Sequence, residues 1–421
     1  NYDFILMGGL SVHYPAFEAC VDTIRSCAPS AQIILGGGLI SSQPELMFEA
    51  LKPNYIVIGE GEVTIQELLR CLEKNGDLNE VNGIGYRSPD GKLVLTSARE
   101  AIKDLDALPW PDYAGLGFED YLDHMRPSHS YVYDLFDAPR AYPLISSRSC
   151  PFLCTFCFHP LGNQYRQRSI GNIMNELEFA VKRYRINIID IYDELFSNNK
   201  KRVYEFCEQI KRLSKDVGWE IKWNAQTRVD QIDEELLLTM KDAGCYVLSL
   251  GLESYSEDVL KSMKKHISVQ QMDEVLQLSR RLNMSIQGNF IFGDVAETTE
   301  SAYKTLNYWK ENVRNGLGIQ LGFIEPYPGT AIYKHCLEKG IIKDEIDFIK
   351  HDLFKPTNWT TNMTNREFMN LRIKIYEALM KDRKYVEPKV TGTSELNTIQ
   401  VKCPYCHKIS IYNNYILGNS Q

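Results

Sequence analysis

Three cysteines in one short stretch, Cys150-x3-Cys154-x2-Cys157, are the residues of this sequence best suited to chemistry. Three thiolates at this spacing can each ligate one iron of a four-iron cubane and leave the fourth iron open. Zinc is the alternative, because His159 lies two residues beyond Cys157 and Cys3His is a common set of zinc ligands. The position of this cysteine loop in the fold has to decide between the two.

Six short apolar segments alternate with amphipathic helices between residues 141 and 330, and this pattern predicts a partial α/β barrel. In such barrels the reacting groups lie at the carboxyl ends of the strands. The cysteine loop directly follows the first predicted strand, which favours an iron–sulfur cluster over zinc. The predicted strands are 142–148, 186–193, 220–228, 245–253, 285–293 and 318–326.

Glycines end the three strands that are predicted between residues 3 and 75, where a β-α-β-α-β-α pattern favours a doubly wound, Rossmann-like sheet. Glycine at such an end lets a flat ligand approach the backbone, although it also serves tight turns in a ligand-free or nucleotide-binding fold. Three strands are half of such a domain and the sequence starts inside a strand, so we expect the natural N-terminus upstream. The strand-end residues are Gly9, Ser11, Gly36, Gly37, Gly38, Gly59, Glu60 and Gly61.

Composition is that of a globular protein of 421 residues, with 44% hydrophobic residues and a net charge of −8. This charge argues against a nucleic-acid or anionic membrane surface. No apolar run reaches the roughly 18 residues of a membrane span, and no signal peptide is visible. The 11 cysteines are odd in number and include two tight clusters, which predicts metal ligation in a reducing cytoplasm rather than a disulfide framework.

Four regions follow from these patterns: 1–100 as the first domain, 101–140 as a linker, 141–330 as the barrel and 331–421 as a helical C-terminal region. A hairpin is predicted at 81–96, with its turn at Pro89-Asp90-Gly91. In the tail, Cys403-Pro-Tyr-Cys406-His407 is half of a zinc ribbon. Because no second pair of cysteines is in sight, the sequence supports zinc at Cys403 and Cys406 and a metal-free segment equally.

The stretch RSCPFLCTFCFHP and the barrel around it resemble radical S-adenosylmethionine (SAM) enzymes, whose signature is C-x3-C-x-aromatic-C, with Phe156 as the aromatic residue. The resemblance implies a 4Fe-4S cluster on Cys150, Cys154 and Cys157. In this family the cluster passes an electron to SAM, which cleaves to methionine and a 5′-deoxyadenosyl radical. The radical then abstracts hydrogen from the substrate.

The same resemblance implies SAM contacts at the ends of the later strands. Asp193 or Glu194 would accept hydrogen bonds from the SAM ammonium, which needs such acceptors. Gln226 and Arg228 would approach the ribose and carboxylate, and Glu253 the ribose or amino group. The segment 288–298, GNFIFGDVAET, would pass the adenine. Taken singly, each could instead be a solvated polar residue at a strand end.

QIILGGGLISSQPE and YIVIGEGE resemble the cobalamin-binding domain that precedes the barrel in one radical SAM subfamily, which implies a corrinoid on the glycine-ended strands. Many such domains carry D-x-H-x-x-G, whose histidine ligates cobalt from below, and this motif does not occur here. Either it lies upstream, or the subfamily lacks the histidine, which favours methyl transfer. We interpret His13, the only histidine of this half-domain, as a loop residue.

The expected function is a cobalamin-dependent radical SAM methyltransferase that acts on an unactivated carbon by way of methylcobalamin and a 5′-deoxyadenosyl radical. One alternative keeps both cofactors but performs oxidative cyclisation, rearrangement or hydroxylation. Another is a corrinoid or iron–sulfur sensor without turnover. We expect a small-molecule or peptide substrate and a reductase or flavodoxin as electron donor, without nucleic acid or a membrane span.

Overall fold

The structure, a computed structural model of the chain, describes residues 2–126, 133, 135–314, 317–382, 389–391, 397–402 and 409–415. The predicted α/β class is confirmed, with parallel sheets in both the N-terminal and the central part. No helix among the described residues is long and apolar enough to span a membrane.

The N-terminal part contains a five-stranded sheet in the order β1-β2-β3-β4-β5. The first three strands are parallel, and the predicted hairpin adds β4 and β5 antiparallel at the edge. Gly8 pairs with Gly36 in register, so the glycine-ended strands finish side by side. The elements are β1 (Phe4–Gly8), α1 (Tyr14–Cys27), β2 (Gln32–Gly36), α2 (Gly37–Ser42), α3 (Pro44–Leu51), β3 (Tyr55–Val57), α4 (Gly61–Glu73), β4 (Ile84–Arg87) and β5 (Leu93–Leu95).

The central part contains six parallel strands in the order β13-β12-β11-β10-β9-β6, as the six predicted strands require. Helices follow the strands, and a short antiparallel pair, β7 with β8, flanks the cysteine loop. The elements are α5 (Phe118–Asp123), β6 (Ala141–Leu144), β7 (Ser147–Arg148), β8 (Arg166–Gln167), α6 (Ile170–Tyr184), β9 (Ile188–Ile191), α7 (Lys200–Val217), β10 (Lys222–Thr227), α8 (Glu234–Asp242), β11 (Cys245–Glu253), α9 (Glu257–Ser262), α10 (Val269–Arg281), β12 (Ser285–Phe292), α11 (Thr299–Arg314) and β13 (Gly318–Phe323).

Side chains at helix starts fix where each helix begins after its strand. Ser169 caps α6 by accepting a hydrogen bond from the Asn172 N–H, and Asp233 caps α8 in the same way from Leu236. At α10, Ser268 and Gln271 form a reciprocal capping box. Such caps satisfy backbone donors that the helix itself leaves without partners.

The six-stranded sheet has two different faces. Trp223 and Ala225 of β10 are fully buried toward the helices, where the Trp223 ring lies 5.2 Å from the Phe206 ring of α7. Because side chains alternate along a strand, Asn224 and Gln226 point to the opposite face. This face, which the helices do not cover, is called the inner face below.

Beyond β13 the chain is mainly helical up to Asp382 and then forms a three-stranded antiparallel sheet that we did not predict. The predicted knuckle residues Cys403, Cys406 and His407 lie outside the described residues, between β15 and β16. The elements are α12 (Ala331–Glu338), α13 (Glu345–Asp347), α14 (Asn365–Asp382), β14 (Lys389–Thr391), β15 (Asn397–Lys402) and β16 (Ile409–Tyr415).

Residue contacts divide the chain into two compact units. The first unit contains residues 1–103, 150–164 and 324–359, and the second contains 104–149, 165–323 and 360–421. The cysteine loop therefore groups with the N-terminal sheet, although it follows a strand of the barrel in sequence. The two units are described separately below.

Candidate active site

The cysteine loop in the first unit holds its three thiols on one tight turn. The Cys157 N–H donates to the Cys154 carbonyl at 3.1 Å; Cys154 is buried, while Cys150 and Cys157 are half-buried. Phe156 is half-buried on the same turn. No three His, Cys, Asp or Glu side chains of the described residues converge as ligands of a single metal ion. Three thiols on one turn fit a cubane, which takes one thiolate on each of three irons.

Phe158, one residue beyond Cys157, anchors the loop within the first unit. A Cβ atom added to Gly38 would lie 2.7 Å from the Phe158 ring, and one added to Gly329 would lie 2.9 Å from it. The Ile332 N–H, in the first turn of α12, also donates to the Thr155 carbonyl at 3.1 Å. Sequence analysis missed Phe158 and Gly329, and only the tight Pro-Gly-Thr turn at 328–330 could have indicated them.

The glycines at the ends of β1 and β2 are required by packing inside the protein. Gly37 has φ +81°, and a Cβ there would lie 2.6 Å from the Gly9 backbone nitrogen. At Gly9 a Cβ would lie 2.9 Å from both His13 and Phe17. The space that we expected these glycines to leave for a ligand is therefore filled by protein atoms at Gly9, Gly37 and Gly38.

Gly59, after β3, differs from these glycines. It has φ +78°, and nothing lies within 4 Å of the position of an added Cβ. Gly36 and Gly61 make only ordinary contacts, with nearest atoms at 3.6 and 3.7 Å. A backbone edge with open space is what a bulky planar cofactor needs, so the end of β3 fits a corrinoid better than the ends of β1 and β2 do.

The polar residues predicted beside these glycines have partners in the protein. Glu60 is 8% exposed, and its carboxylate accepts a hydrogen bond from the Ile102 N–H at 2.6 Å. Ser11 is buried. The Leu10 N–H donates to His13 Nδ1 at 3.1 Å; His13 ends a short 3-10 helix, Ser11–His13, and is not in the loop that we expected.

Asp193, in the second unit, is buried after the end of β9 and is surrounded by hydrogen-bond donors. Its Oδ1 accepts from the N–H groups of Ser146 and Ser147 at 2.6 and 3.0 Å, and Oδ2 accepts from both hydroxyls. With four donors in place and 1% exposure, Asp193 holds the chain that leads into the cysteine loop. This arrangement favours a positioning role for Asp193 over the direct SAM contact that we expected.

Arg202 of α7 holds the same serine from the other side. Its Nη2 donates to the Ser146 carbonyl at 2.9 Å, and Nε donates to the Arg168 carbonyl at 3.2 Å. Arg202 is 4% exposed, and burial lowers the pKa of its guanidinium while the nearby Asp193 charge raises it. Ser146 thus lies between a buried carboxylate and a buried guanidinium, which fixes the backbone at the end of β6.

Glu194 and Gln226 are the predicted SAM contacts in the second unit that remain exposed. Desolvation by the surrounding protein, and then the negative charge of Asp193, raise the pKa of the Glu194 carboxyl. A positively charged ligand would relieve both effects. Of the two adjacent carboxylates, Glu194 is therefore the better acceptor for an ammonium group.

Arg228 and Glu253 belong to one buried network at the ends of β10 and β11. Arg228 pairs with Asp230 through two parallel bonds of 2.9 and 3.0 Å and also donates to the Lys265 carbonyl at 2.6 Å. The Lys265 ammonium lies 2.7 Å from the Glu253 carboxylate. Glu253 has φ +62°, an uncommon conformation for a residue with a side chain. The network supports the backbone at these strand ends.

The turn after β12 contains a second fully buried carboxyl, Glu297. The Gly293 N–H donates to its Oε2 at 2.6 Å, while Oε1 has no hydrogen-bond partner among the described residues. Burial is the main cause that raises the Glu297 pKa to about 8. A carboxyl that is largely protonated near neutral pH can stay in this apolar position at low cost.

Comparisons with known proteins identify the family. Residues 144–308 match the Radical SAM superfamily. An uncharacterized methyltransferase of Pyrococcus horikoshii is 29% identical over 85% of this chain and 73% of its own length. The anaerobic magnesium-protoporphyrin IX monomethyl ester cyclase of Rubrivivax gelatinosus is 28% identical over 92% of this chain and 67% of its own length.

A solved structure has the same fold. The radical SAM methyltransferase TsrM of Kitasatospora setae, with cobalamin and a 4Fe-4S cluster bound, superposes with a TM-score of 0.63 at 17% identity. The match covers 80% of this chain and 64% of TsrM. The chain thus spans roughly two thirds to three quarters of the length of these three proteins.

Residues 144–308 of the chain form a radical SAM domain, and the chain is an enzyme. The resemblance inferred from the cysteine stretch and the glycine-ended strands is confirmed for the radical SAM domain, and the cobalamin-bound TsrM shares the fold. This result favours an enzyme over the sensor that we considered.

Proposed function

We propose that the protein is a cobalamin-dependent radical SAM methyltransferase that acts on an unactivated carbon. The observation that carries the radical chemistry is the loop of Cys150, Cys154 and Cys157 after the first strand of a six-stranded parallel sheet. Three thiols on one turn are suited to three irons of a cubane. When bound, the cluster supplies an electron for the cleavage of SAM.

Similarity to the Pyrococcus horikoshii protein, whose name is that of a methyltransferase, supports methyl transfer. The fold shared with TsrM, which has cobalamin and a cluster bound, supports the corrinoid. In this chain we assign the corrinoid to the end of β3, where Gly59 borders open space. The glycines at the other two strand ends shape the protein around that position.

The roles of the protein's own side chains follow from their exposure. Glu194 accepts the SAM ammonium, and Gln226 contacts the ribose, because both remain exposed at the ends of their strands. Asp193 and Arg202 orient the backbone at the end of β6 and thereby the cysteine loop. Arg228 and Glu253 support the neighbouring strand ends through Lys265.

A non-methylating reaction with the same cofactors is the second candidate. It is favoured by the similarity to the Rubrivivax gelatinosus cyclase, which covers 92% of this chain at nearly the same identity as the methyltransferase. In either case we expect a small-molecule or peptide substrate and a reductase or flavodoxin as electron donor in the reducing cytoplasm.

Product analysis separates the two candidates. Protein reconstituted anaerobically with iron, sulfide and cobalamin should, with reductant and SAM, release both 5′-deoxyadenosine and S-adenosylhomocysteine. S-adenosylhomocysteine forms when SAM loses its methyl group, and 5′-deoxyadenosine forms when SAM yields the radical. Deoxyadenosine alone at every time point would contradict methyl transfer and favour the second candidate.

Cysteine variants test the cluster itself. Wild-type protein should bind about four irons per cluster, and replacement of Cys150, Cys154 or Cys157 by Ala should abolish deoxyadenosine formation. Cys27→Ala is the matched control, because Cys27 is an exposed free cysteine at the end of α1. One equivalent of zinc and no iron after reconstitution would contradict the proposal.

A further inference from the structure

Polar side chains line the inner face of the six-stranded sheet. Residues that pair in register across neighbouring strands form a row of side chains on this face. Gln226 pairs with Ser249, and Ser249 with Gln287. Asn289 pairs with Gln320 one row further along. Residues paired in register point to the same face. The inner face is therefore rich in neutral hydrogen-bonding groups, which suits a polar ligand.

One carboxylate, Asp190, lies next to these neutral rows, and Lys222 lies one row before it on the same face, where its ammonium pairs with Glu220. Asp190 pairs in register with Asn224, on the face opposite the helices, and is 6% exposed. Its Oδ2 accepts from the Tyr133 hydroxyl at 3.2 Å, and its Oδ1 accepts from the Asn224 side-chain amide. Within the described part of the chain these two neutral donors are its partners, and Asp190 forms no ion pair there.

Asp193, only three residues further on, shows how a buried carboxylate is stabilised when its role is structural. It has four donors, and the buried guanidinium of Arg202 holds the same Ser146. Asp190 has half as many donors, and no described residue forms an ion pair with it. A buried carboxylate without a compensating charge is costly, and burial accordingly raises the pKa of Asp190.

The position of Asp190 along the strands separates it from the predicted SAM contacts. Its register partner Asn224 precedes Gln226 by two residues on β10, which corresponds to about 6–7 Å along a strand. Glu194 lies beyond the end of β9, whereas Asp190 lies within that strand. The SAM ammonium therefore already has an acceptor at the strand end, and Asp190 is left for another group.

We propose that Asp190 binds a cationic group of the substrate, an ammonium or a guanidinium, while the neutral rows of the inner face hydrogen-bond to its polar remainder. The inference rests on the proposed radical SAM function and adds the chemical class of the substrate. A charge-assisted hydrogen bond to the carboxylate would supply a compensating charge that no described residue supplies through an ion pair. A flat apolar macrocycle would supply neither this charge nor hydrogen bonds to the amides.

Fractionated metabolites provide the test. A small-molecule extract of cells that make the protein is separated on a cation-exchange resin at pH 7 into a retained, cationic fraction and a flow-through. Each fraction is offered to the reconstituted, reduced enzyme with SAM, and deoxyadenosine is measured above the rate without extract. The cationic fraction should stimulate the enzyme, and Asp190→Asn should raise the amount needed for half-maximal stimulation by at least about tenfold.

Asn at position 190 can keep both hydrogen bonds, since its oxygen accepts from Asn224 and its amide donates to the Tyr133 oxygen. The matched control is Asp273→Asn, because Asp273 also accepts from two tyrosine hydroxyls, those of Tyr255 and Tyr308, but lies on α10. Asp273→Asn should respond as the wild type does. Asp273→Asn should also keep the basal rate without extract.

Stimulation by the flow-through alone, by neither fraction, or equally in Asp190→Asn and wild type would overturn the proposal. A free energy of unfolding clearly lower in Asp190→Asn than in the wild type would also overturn it, because Asp190 would then be structural. The basal rate of the wild type tests the radical SAM function separately. If the wild type formed no deoxyadenosine at all, the proposed radical SAM function would be contradicted, and the proposal for Asp190 would not be the cause.

Discussion

The ends of the parallel strands differ between the N-terminal sheet and the six-stranded sheet. In the first, glycines come close to other parts of the same unit, as Gly37 does to Gly9 and Gly38 to Phe158. In the second, charged residues bind one another or the backbone, as Asp193, Arg228 and Glu253 do. In both sheets most strand-end residues that resemble a ligand site support the protein, and few of them remain open.

The open positions are the informative ones. Gly59 borders empty space in the first unit, and Glu194 and Gln226 are exposed in the second. A polar residue or a glycine at a strand end predicts that a ligand site is close by. The hydrogen-bond and packing partners of that residue decide whether it contacts the ligand or only supports a neighbouring residue that does. Variants that distinguish these two roles test the comparison directly.

The largest effect is expected at Asp193. Asp193→Ala removes the acceptor of two buried N–H groups and two hydroxyls, and should lower the free energy of unfolding by about 3–5 kcal/mol. Glu194→Gln, at the next residue, should change stability by less than about 0.5 kcal/mol because the side chain is exposed. Denaturant unfolding measures both.

Deoxyadenosine formation completes this test. Glu194→Gln should weaken SAM binding in a stable protein, whereas Asp193→Ala should lose activity together with stability. An Asp193→Ala protein as stable as wild type but unable to cleave SAM would show that Asp193 contacts SAM directly, as the sequence first suggested.

The fold could be predicted because its signals are local. Buried parallel strands give continuous apolar segments, so β11 was predicted at its observed bounds, Cys245–Glu253, and the other five strands within a few residues. Grouping of the cysteine loop with the N-terminal sheet could not be predicted, because it depends on Phe158 packing against Gly38 and Gly329, far apart in sequence.

The sequence predicted which types of residue form the candidate site, but it predicted the role of each residue only in part. The cysteines were evident from their spacing alone. Asp193 and Glu194 are adjacent carboxylates, and nothing in the sequence tells that the serines at 146 and 147 enclose one of them. Asp190 went unnoticed because it lies inside an apolar strand, where a carboxylate is identified as unusual only after its partners are known.

A smaller effect is expected in the glycine-ended region. Gly38→Ala places a Cβ 2.7 Å from the Phe158 ring and 2.8 Å from the Leu10 side chain, and should destabilise the protein by about 1–3 kcal/mol through overpacking. Phe158→Leu in the same chain should recover part of this loss. Gly36→Ala is the control and should cost less than about 1 kcal/mol, because its Cβ would make only ordinary contacts. Failure of Phe158→Leu to restore stability would show that Gly38 is not required by this contact.

The last effect is a pH dependence of the free energy of unfolding that arises at Glu297, after β12. The folded protein keeps the Glu297 proton up to a pKa of about 8, whereas the unfolded chain releases it near 4.5. Between these values the folded state binds more protons than the unfolded state, so the free energy of unfolding should fall as pH rises. One such proton contributes a slope of at most about 1.4 kcal/mol per pH unit. Unlike Asp193, this carboxyl has too few donors to be stable as an anion.

Glu297→Gln should remove this contribution, because the amide does not titrate and its oxygen can still accept from the Gly293 N–H. Denaturant unfolding at pH 5, 6.5 and 8 would therefore show a shallower decline for the variant than for wild type, whatever its absolute stability. Glu300→Gln, at an exposed glutamate in the first turn of α11, should decline as wild type does. Parallel curves for wild type and Glu297→Gln would mean that the Glu297 proton is lost at the same pH in the folded and unfolded states. The carboxylate would then have a compensating partner after all, and the contrast between the well-satisfied Asp193 and the poorly satisfied Glu297 would fail.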